Sequence, residues 1–240
     1  MTTQETPGRR QPAPGGDKQH RVFASWYPGR AAAMDRAGFA AYRGRLLAGL
    51  SGQVLELGAG SGLNFPHYPA EVERVVAIEP EPRMRELAGE AARRAPVPIE
   101  VVDAVAEDLS AFAGRFDFAV CSLVLCSVPN QAAALAQLRA VLRPREDGEV
   151  GEVRLLEHVR AEGRGLSRVQ RLLDATLWPW IGGGCHCSRD VVEALAPAGL
   201  AARSTRRFTF PATGVPLPTS PHVLVIAAPE RRAGRAPHGR

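Results

Sequence analysis

Short apolar runs and amphipathic stretches alternate along this chain. The apolar runs predict strands, and the stretches between them, where apolar residues recur every three or four positions, predict helices. Strands are predicted at 53–57, 74–78, 99–102, 116–121 and 152–156. Helices are predicted at 82–94 and 130–142. Strands that alternate with helices in this way predict a parallel sheet covered by helices on both faces.

The pattern changes on either side of this alternating region. Before it, apolar residues at helical spacing predict one or two helices between 28 and 50. After it come predicted helices at 166–177 and 188–196 and predicted strands at 202–208 and 222–228. The Pro-rich residues 211–221 leave no helix between the last two strands, so we predict that this pair is antiparallel. The expected fold is α/β, a Rossmann-like, seven-stranded, mostly parallel sheet with helices on both faces and an antiparallel final strand.

The two ends of the chain lack apolar periodicity. Residues 1–21 and 229–240 are rich in Pro, Gly and Arg, and we predict disordered tails there. The body between them, 22–228, is then one domain with an N-terminal helical lid. The tails contribute +2 and +3 to the formal net charge of +5, so the body sums to zero. A body without net charge or a basic stripe argues against a nucleic-acid partner.

The same polar N-terminal stretch contains no apolar segment typical of a secretory signal. No apolar run reaches the roughly 18 residues that a membrane-spanning helix needs. From these features we expect a cytoplasmic protein without a membrane span. The four cysteines are then expected to be reduced.

The first predicted strand ends in a glycine-rich turn that starts at Glu56 and continues through Gly58, Ala59, Gly60 and Gly62. Glycines at the carboxyl end of a parallel strand allow positive φ and let a ligand approach the backbone. Such turns also bind nicotinamide and flavin cofactors, so the turn alone does not identify its ligand.

The residues around the turn favour a cationic ligand. A carboxylate at Glu56 attracts a cation and repels a pyrophosphate, and Pro66 interrupts the helix that a pyrophosphate site uses. Glu79 ends the second strand, where two carboxylate oxygens can accept both hydroxyls of a ribose. These features predict S-adenosylmethionine (SAM), whose sulfonium and ammonium groups are positive. An NAD-type oxidoreductase and a SAM-binding module without catalysis remain the alternatives from other classes.

Several motifs resemble class I SAM-dependent methyltransferases, and within them the methyltransferase-like 7 group of thiol methyltransferases and its bacterial relatives. The motifs are VLELGAGSGLNFPHYP, VVAIEPEPRMRELA, FDFAVCSLVLCSVPNQAAALAQLRAVLRP, LLEHVRA and GGCH. The resemblance runs from about Val22 to Ala228. It implies that the methionine part of SAM lies near the turn and near Cys121 and Ser122, that the ribose lies on Glu79, and that Ala106 and Glu107 line the adenine.

The full cofactor site that the resemblance implies is Glu56, Gly58, Ala59, Gly60, Gly62, Asn64, Glu79, Pro80, Ala106, Glu107, Cys121 and Ser122. One position departs from the family pattern, which often has an acidic residue where this chain has Val105. The adenine contact is therefore open to a shift to Asp103 or Asp108.

The methyl acceptor is expected to be a small molecule that carries a thiol or is hydrophobic. A thiol with a pKa near 8.5 is partly ionised at neutral pH and needs no strong base, so alignment of the reacting atoms suffices. Methylation of O or C on a quinol or polyketide, or of N on a lipid amine, is the alternative. Detoxification and natural-product tailoring are the roles we expect for such an activity.

Three residues are candidates for acid–base or orienting roles. His158 follows the fifth strand at the carboxyl edge of the sheet, His186 lies in a glycine-rich loop, and Tyr27 belongs to the N-terminal lid. Each has a plain structural alternative, either a hydrogen bond to a loop backbone or aromatic packing. Cys185 and Cys187 flank His186 at a spacing that is poor for zinc, so no metal site is predicted.

The walls of the acceptor site are also suggested by sequence. The apolar residues 172–181, which include Trp178 and Trp180, suit a pocket for a hydrophobic acceptor, although they equally suit a helix end docked on the sheet. The resemblance implies that Cys126 and Cys185 face this pocket, whereas free cysteines are often small core residues.

Overall fold

The computed structural model describes residues 16–144, 150–176 and 178–230, with side chains from Val22 onward. Its strands are β1 (Gly52–Leu57), β2 (Val72–Ile78), β3 (Ile99–Val102), β4 (Phe118–Ser122), β5 (Glu152–His158), β6 (Leu200–Thr209) and β7 (Pro221–Pro229). Its α-helices are α1 (Gly16–Met34), α2 (Ala40–Leu47), α3 (Pro82–Ala92), α4 (Gln131–Ala140), α5 (Arg164–Asp174) and α6 (Trp178–Ile181). A π-helical segment, Asp35–Phe39, joins α1 to α2.

The seven strands form one sheet in the order β3-β2-β1-β4-β5-β7-β6. The pairs from β3 to β5 are parallel, and β7 is antiparallel to both β5 and β6. This arrangement confirms the predicted fold, including the antiparallel last pair. Because the strand order reverses between β1 and β4, a crevice opens beyond their carboxyl ends, which is where open α/β sheets bind ligands.

The core has two layers, one on each face of the sheet. Leu55 and Leu155 point to the face that packs under α4, and Val54 and Leu156 point to the face that packs under α2. This alternation is the two-residue period of a strand buried on both sides. Helices therefore cover both faces, as predicted.

The N-terminal helical segment is longer than expected. α1 begins at Gly16, six residues before the predicted start of the folded body, and the backbone then kinks at Gly38, where φ is 110°, before α2 begins. A helix that is already nucleated can extend through polar residues, because each added residue gains a hydrogen bond and no apolar face is needed. Pro229, the first residue of the predicted C-terminal tail, is the last residue of β7. Residues 1–15 and 231–240 of the predicted tails lie outside the described chain.

The helix predicted at 188–196 is wrong. The chain there makes consecutive tight turns and a short 3₁₀ segment, Ala196–Ala198. Amide groups donate to carbonyls three residues back, as from Ala194 N to Val191 O, and Pro197 lacks the N–H that a longer helix would use. The Asp190 carboxylate also accepts a bond from Val192 N, which favours a turn over a helix.

Helix α5 packs through its polar side. Gln170 is fully buried and donates to Val159 O and Pro218 O, whereas Leu172 on the opposite side is 67% exposed. The helix predicted at 166–177 extends from Arg164 to Asp174. Its apolar residues do not define its buried face. No helix in the described chain combines the length and apolar character that crossing a membrane requires.

Candidate active site

The glycine-rich turn after β1 leaves an open backbone surface. Gly58, Gly60 and Gly62 all have positive φ, the region that favours glycine. A Cβ on Gly58 would lie 2.3 Å from Val124 Cγ2, so Gly58 is required for close packing of the turn against the loop after β4. Around Gly60, in contrast, an added Cβ would meet no atom within 4 Å. The turn is thus packed on one side and open to a ligand on the other.

Glu56 is a buried carboxylate at the head of this turn. Its Oε1 accepts a hydrogen bond from Asn64 Nδ2 at 2.9 Å, and its Oε2 accepts one from the Tyr68 hydroxyl at 2.6 Å. Burial raises the pKa of Glu56 to about 7, although both hydrogen bonds act to lower it. A cation placed nearby would favour the ionised form, so the carboxylate fits a positively charged ligand.

Arg43 is a buried cation beside this carboxylate that sequence reasoning missed. It lies on α2, where its Nε bonds Asp35 Oδ1 at 2.9 Å. Its Nη1 donates to Asn64 Oδ1 at 3.0 Å and to Ser122 Oγ at 3.2 Å. The available sequence signal was its position four residues after Phe39 and three before Leu46, on the apolar stripe of the helix.

Glu79 connects the glycine-rich turn to the segment after β2. Its Oε2 accepts a hydrogen bond from Gly60 N at 2.7 Å, and its Oε1 accepts one from Glu81 N at 3.0 Å. Burial raises its pKa. Each carboxylate oxygen keeps a second lone pair for a ligand hydroxyl. Arg85 braces the same corner by donating to the carbonyls of Glu79 and Pro80.

The predicted adenine end of the site has one buried and one exposed member. Ala106 is buried and Glu107 is exposed. Asp103 and Asp108 are the alternative candidates for the adenine contact, because Val105 lacks the acidic side chain of the family. Asp103 pairs with Arg85 Nη2 at 3.0 Å, and Asp108 accepts a hydrogen bond from Ser110 Oγ at 2.7 Å. Both acids already have protein partners.

A cavity of about 120 Å³ lies beside the carboxyl ends of β4 and β5, at Leu123 and His158, and its walls come from distant parts of the chain. It is lined by Phe23, Trp26, Tyr27, Arg30, Met34, Leu123, Cys126, Ser127, His158, Trp178, Gly182, Cys185, Phe210, Pro211, Leu217, Thr219, Ser220 and His222. Tyr27 and His158, two of the three predicted acid–base candidates, are both in this wall. His186 is not among the lining residues, because its Nδ1 bonds Gly184 O at 2.7 Å within its own loop.

His222 is a second histidine of the cavity wall that sequence reasoning missed. It lies opposite His158 in the antiparallel β5–β7 pair, and the two rings are 4.5 Å apart. Burial lowers the pKa of His158 to about 3, helped by the proximity of His222, and lowers the pKa of His222 to about 4. Both rings are therefore neutral at physiological pH. No sequence spacing links them, since only the strand register brings them together.

A cluster of three buried cysteines contributes two of its members, Cys126 and Cys185, to the wall. Cys126, Cys185 and Cys187 pack together against Trp178. The pKa of the Cys126 thiol is raised well above its usual value, mainly by a hydrogen bond with Cys185 and secondly by burial. Within the described ranges, no group of three or more His, Cys, Asp or Glu side chains is arranged to hold a metal ion.

Glu157 is a third buried polar side chain that sequence reasoning did not single out. It is fully buried on β5, and its Oε1 accepts hydrogen bonds from Val124 N, Leu125 N and the Cys121 thiol. Burial raises its pKa to about 7. Cys121, predicted to contact the cofactor, thus points to this carboxylate, whereas the neighbouring Ser122 accepts the bond from Arg43.

Comparisons with known proteins identify the family of the chain. Residues 55–146 match the model of a methyltransferase domain family. The human thiol S-methyltransferase TMT1B is 35% identical over 74% of this chain and 72% of its own length. The human thiol S-methyltransferase TMT1A is 37% identical over 63% of this chain and 62% of its own length.

A solved structure supports the fold. A SAM-dependent methyltransferase from Thermotoga maritima superposes with a TM-score of 0.61 over 89% of this chain and all of its own (100%), at 17% sequence identity. SAM, a cationic nucleoside, fits the glycine-rich turn, with the buried Glu56 at its head and its open surface at Gly60. Taken with the identity to TMT1B, these features show that the chain belongs to the family of SAM-dependent methyltransferases that includes the thiol S-methyltransferases.

Proposed function

We propose that this methyltransferase acts on a small thiol. The observation that carries the proposal is the charge of the cavity wall. The ionisable side chains in this wall are Tyr27, Arg30, Cys126, His158, Cys185 and His222. Burial raises the pKa of Tyr27, both cysteines have raised pKa values, and both histidines have lowered ones, so these five are neutral at pH 7. Arg30 is the one lasting charge in the described wall.

A wall of this kind suits an acceptor that ionises without help. A base with a pKa of about 3, such as His158, takes almost no protons at neutral pH. A thiol, with a pKa near 8.5, forms some thiolate unaided, whereas a phenol near 10 forms much less. The cationic Arg30 attracts a thiolate and repels a protonated amine. The names of the human relatives, thiol S-methyltransferases, support the same acceptor class.

We also propose how the cofactor is held. Bound SAM supplies a methyl group activated by its sulfonium. Glu56 would bind the ammonium of its methionine part, Arg43 would bind the carboxylate, and Glu79 would accept the ribose hydroxyls. The buried acid and base that share Asn64 support this assignment, because a zwitterion needs both. Ala106 and Glu107 then remain the proposed boundary of the adenine.

The candidate acid–base residues receive modest roles in this proposal. His158 and His222 shape and desolvate the acceptor pocket as neutral rings. Tyr27 closes it from α1, whose residues Phe23, Tyr27, Arg30 and Met34 face the cavity at helical spacing. This spacing supports the expected N-terminal lid on a single catalytic domain. His186 braces its loop.

An acceptor panel of matched shape tests the function. With SAM, we expect turnover of benzyl mercaptan and none of benzyl alcohol, benzylamine or 4-methylphenol, with methylated product measured by mass spectrometry. The Arg30→Gln variant should raise KM for the thiol about threefold, as for one exposed charge. Arg36→Gln, an exposed arginine in the π-helical segment outside the wall, serves as the control. Turnover of the phenol or amine without the thiol would refute the proposal.

A further inference from the structure

The loop that follows β4, residues 123–127, has an unusual backbone. Leu123 has φ of 59°, and among the described residues other than glycine it is the one with a positive φ. A leucine side chain is disfavoured in this left-handed region, so the surrounding structure must hold the conformation. Leu123 N is still bonded to Leu156 O at 2.8 Å, which ties the start of the loop to β5.

Glu157 supplies the rest of that hold. Its Oε1 accepts hydrogen bonds from Val124 N at 3.0 Å and from Leu125 N at 3.1 Å, the two amides that follow the left-handed residue. A carboxylate bonds such consecutive amides more strongly than a neutral acceptor does. Its Oε2 is buried and has no hydrogen-bond partner among the described residues.

The cost of this arrangement argues against a role in packing alone. A buried carboxylate with one unpartnered oxygen is expensive, and an apolar side chain of similar size would often stabilise a core better. An apolar side chain would, however, destabilise the loop, because it would leave the amides of Val124 and Leu125 without acceptors.

The loop touches both ligand sites. The Val124 side chain packs on Gly58 so closely that a Cβ there would lie 2.3 Å away. Leu123, Cys126 and Ser127 line the cavity proposed for the acceptor. Movement of residues 123–127 would therefore displace both the glycine-rich turn at Gly58 and the wall of the cavity.

We propose that Glu157 is a positioning residue of the methyl-transfer reaction, which sets the cofactor turn and the acceptor cavity at once by holding residues 123–127. It acts through backbone amides and contacts neither ligand. The inference rests on the proposed location of the acceptor in this cavity, and does not depend on the acceptor being a thiol.

Two variants of similar size separate hydrogen bonding from packing. Glu157→Gln keeps an oxygen that can accept from Val124 N and Leu125 N, whereas Glu157→Leu keeps the volume without an acceptor. We expect E157L to weaken SAM binding and to raise the acceptor KM, each about tenfold or more, as for loss of a supporting contact at a site. E157Q should stay within about threefold of the wild type in both. Glu152→Gln on the same strand is the control.

The readouts must include some that do not require turnover. SAM affinity is measured by calorimetry, and hydrogen exchange of the amides at 124 and 125 is measured without cofactor. Faster exchange in E157L, with slow exchange restored in E157Q, is the expected result. If E157L does not fold, Glu157→Asp tests the same point, because it keeps the charge but withdraws the oxygens by one methylene. E157D should then show the joint loss.

Three results would overturn the inference. One is a lower melting temperature in E157L or E157D with unchanged SAM affinity and KM, which would mean a role in stability alone. Another is a change in only one of the two ligand constants, which would remove the coupling. The third is unaltered exchange at 124 and 125. If SAM binding and exchange respond as expected but no acceptor in any panel reacts, the cavity assignment fails while the hold on the loop stands.

Discussion

The cofactor side and the acceptor side of this molecule are built by different means. The cofactor side gathers the ends of β1, β2 and β4. There Asn64 bridges the buried Glu56 and Arg43, and Glu79 accepts a hydrogen bond from the backbone of Gly60. The cavity proposed for the acceptor joins α1, β5, α6 and β7, and apart from Arg30 its ionisable side chains are neutral. A fixed, zwitterionic cofactor can be recognised by charge and backbone, whereas a thiol acceptor needs shape and the absence of competing charge.

The largest expected effect breaks the cofactor side at its tightest point. In Gly58→Ala the new methyl meets Val124, and the positive φ adds strain, so the turn must move. A displacement of about 1 Å at a reacting site lowers kcat/KM on the order of 100-fold. Gly44→Ala is the matched control, because Gly44 has no atom within 4 Å of an added Cβ. Equal activity of the two variants would show that the turn is not closely packed.

The acceptor side is tested by its neutral histidines. The folded-state pKa of His222 is about 4, below the value near 6.5 of an exposed histidine, so unfolded chains bind protons first as the pH falls. Stability from His222 is therefore complete above pH 6.5 and is lost on the way to pH 4.

Replacing His222 by Phe should reduce this loss. Between pH 7.5 and 5.0, the drop in the free energy of unfolding should be smaller in His222→Phe by about 2 kcal/mol, measured by urea titration. Glu56 and Glu157, with pKa values raised to about 7, act in the opposite direction in both proteins, so the difference between them isolates the histidine. His186→Gln, outside the wall, is the control. An identical pH dependence in wild type and H222F would contradict a buried neutral ring.

The smallest expected effect is the pH dependence of SAM affinity, which tests whether Glu56 binds the cationic part of the cofactor. Glu56 has a pKa of about 7 without ligand, and a cationic ligand favours its ionised form. SAM affinity should therefore fall by up to about tenfold per pH unit below pH 7 and level off above it. Calorimetry across pH 5.5–8.5 checks this, with Glu56→Gln expected to bind weakly at every pH and Glu107→Gln to keep the slope. A flat wild-type profile would exclude Glu56 as the partner of the cation.

The same division explains what the sequence could predict. Glu56, Gly58, Gly60 and Glu79 lie at the ends of two consecutive strands, so a local pattern and a charge argument found them. The strands alternate with helices strongly enough to define the sheet. These predictions needed no knowledge of how distant segments meet.

The missed residues depend on tertiary placement. His222 reaches His158 only through the register of the antiparallel β5–β7 pair, 64 positions apart in sequence. Glu157 directly followed the predicted strand 152–156, beside His158, but its bonds to Val124 and Leu125 depend on the left-handed turn at Leu123, which the sequence does not indicate. α5 misleads for a related reason, because Gln170 satisfies buried carbonyls while apolar residues remain outside.

The position of β7 has a consequence for biosynthesis. It is the last strand of the described chain, yet it lies between β5 and β6 and carries His222 into the cavity wall. Until β7 has left the ribosome, β5 is an open edge with unpaired backbone groups. The strands that carry the cofactor turn can pair earlier, since β1, β2 and β4 are all synthesised before β7. A nascent chain would thus acquire its place for the methyl donor before it has any place for the methyl acceptor.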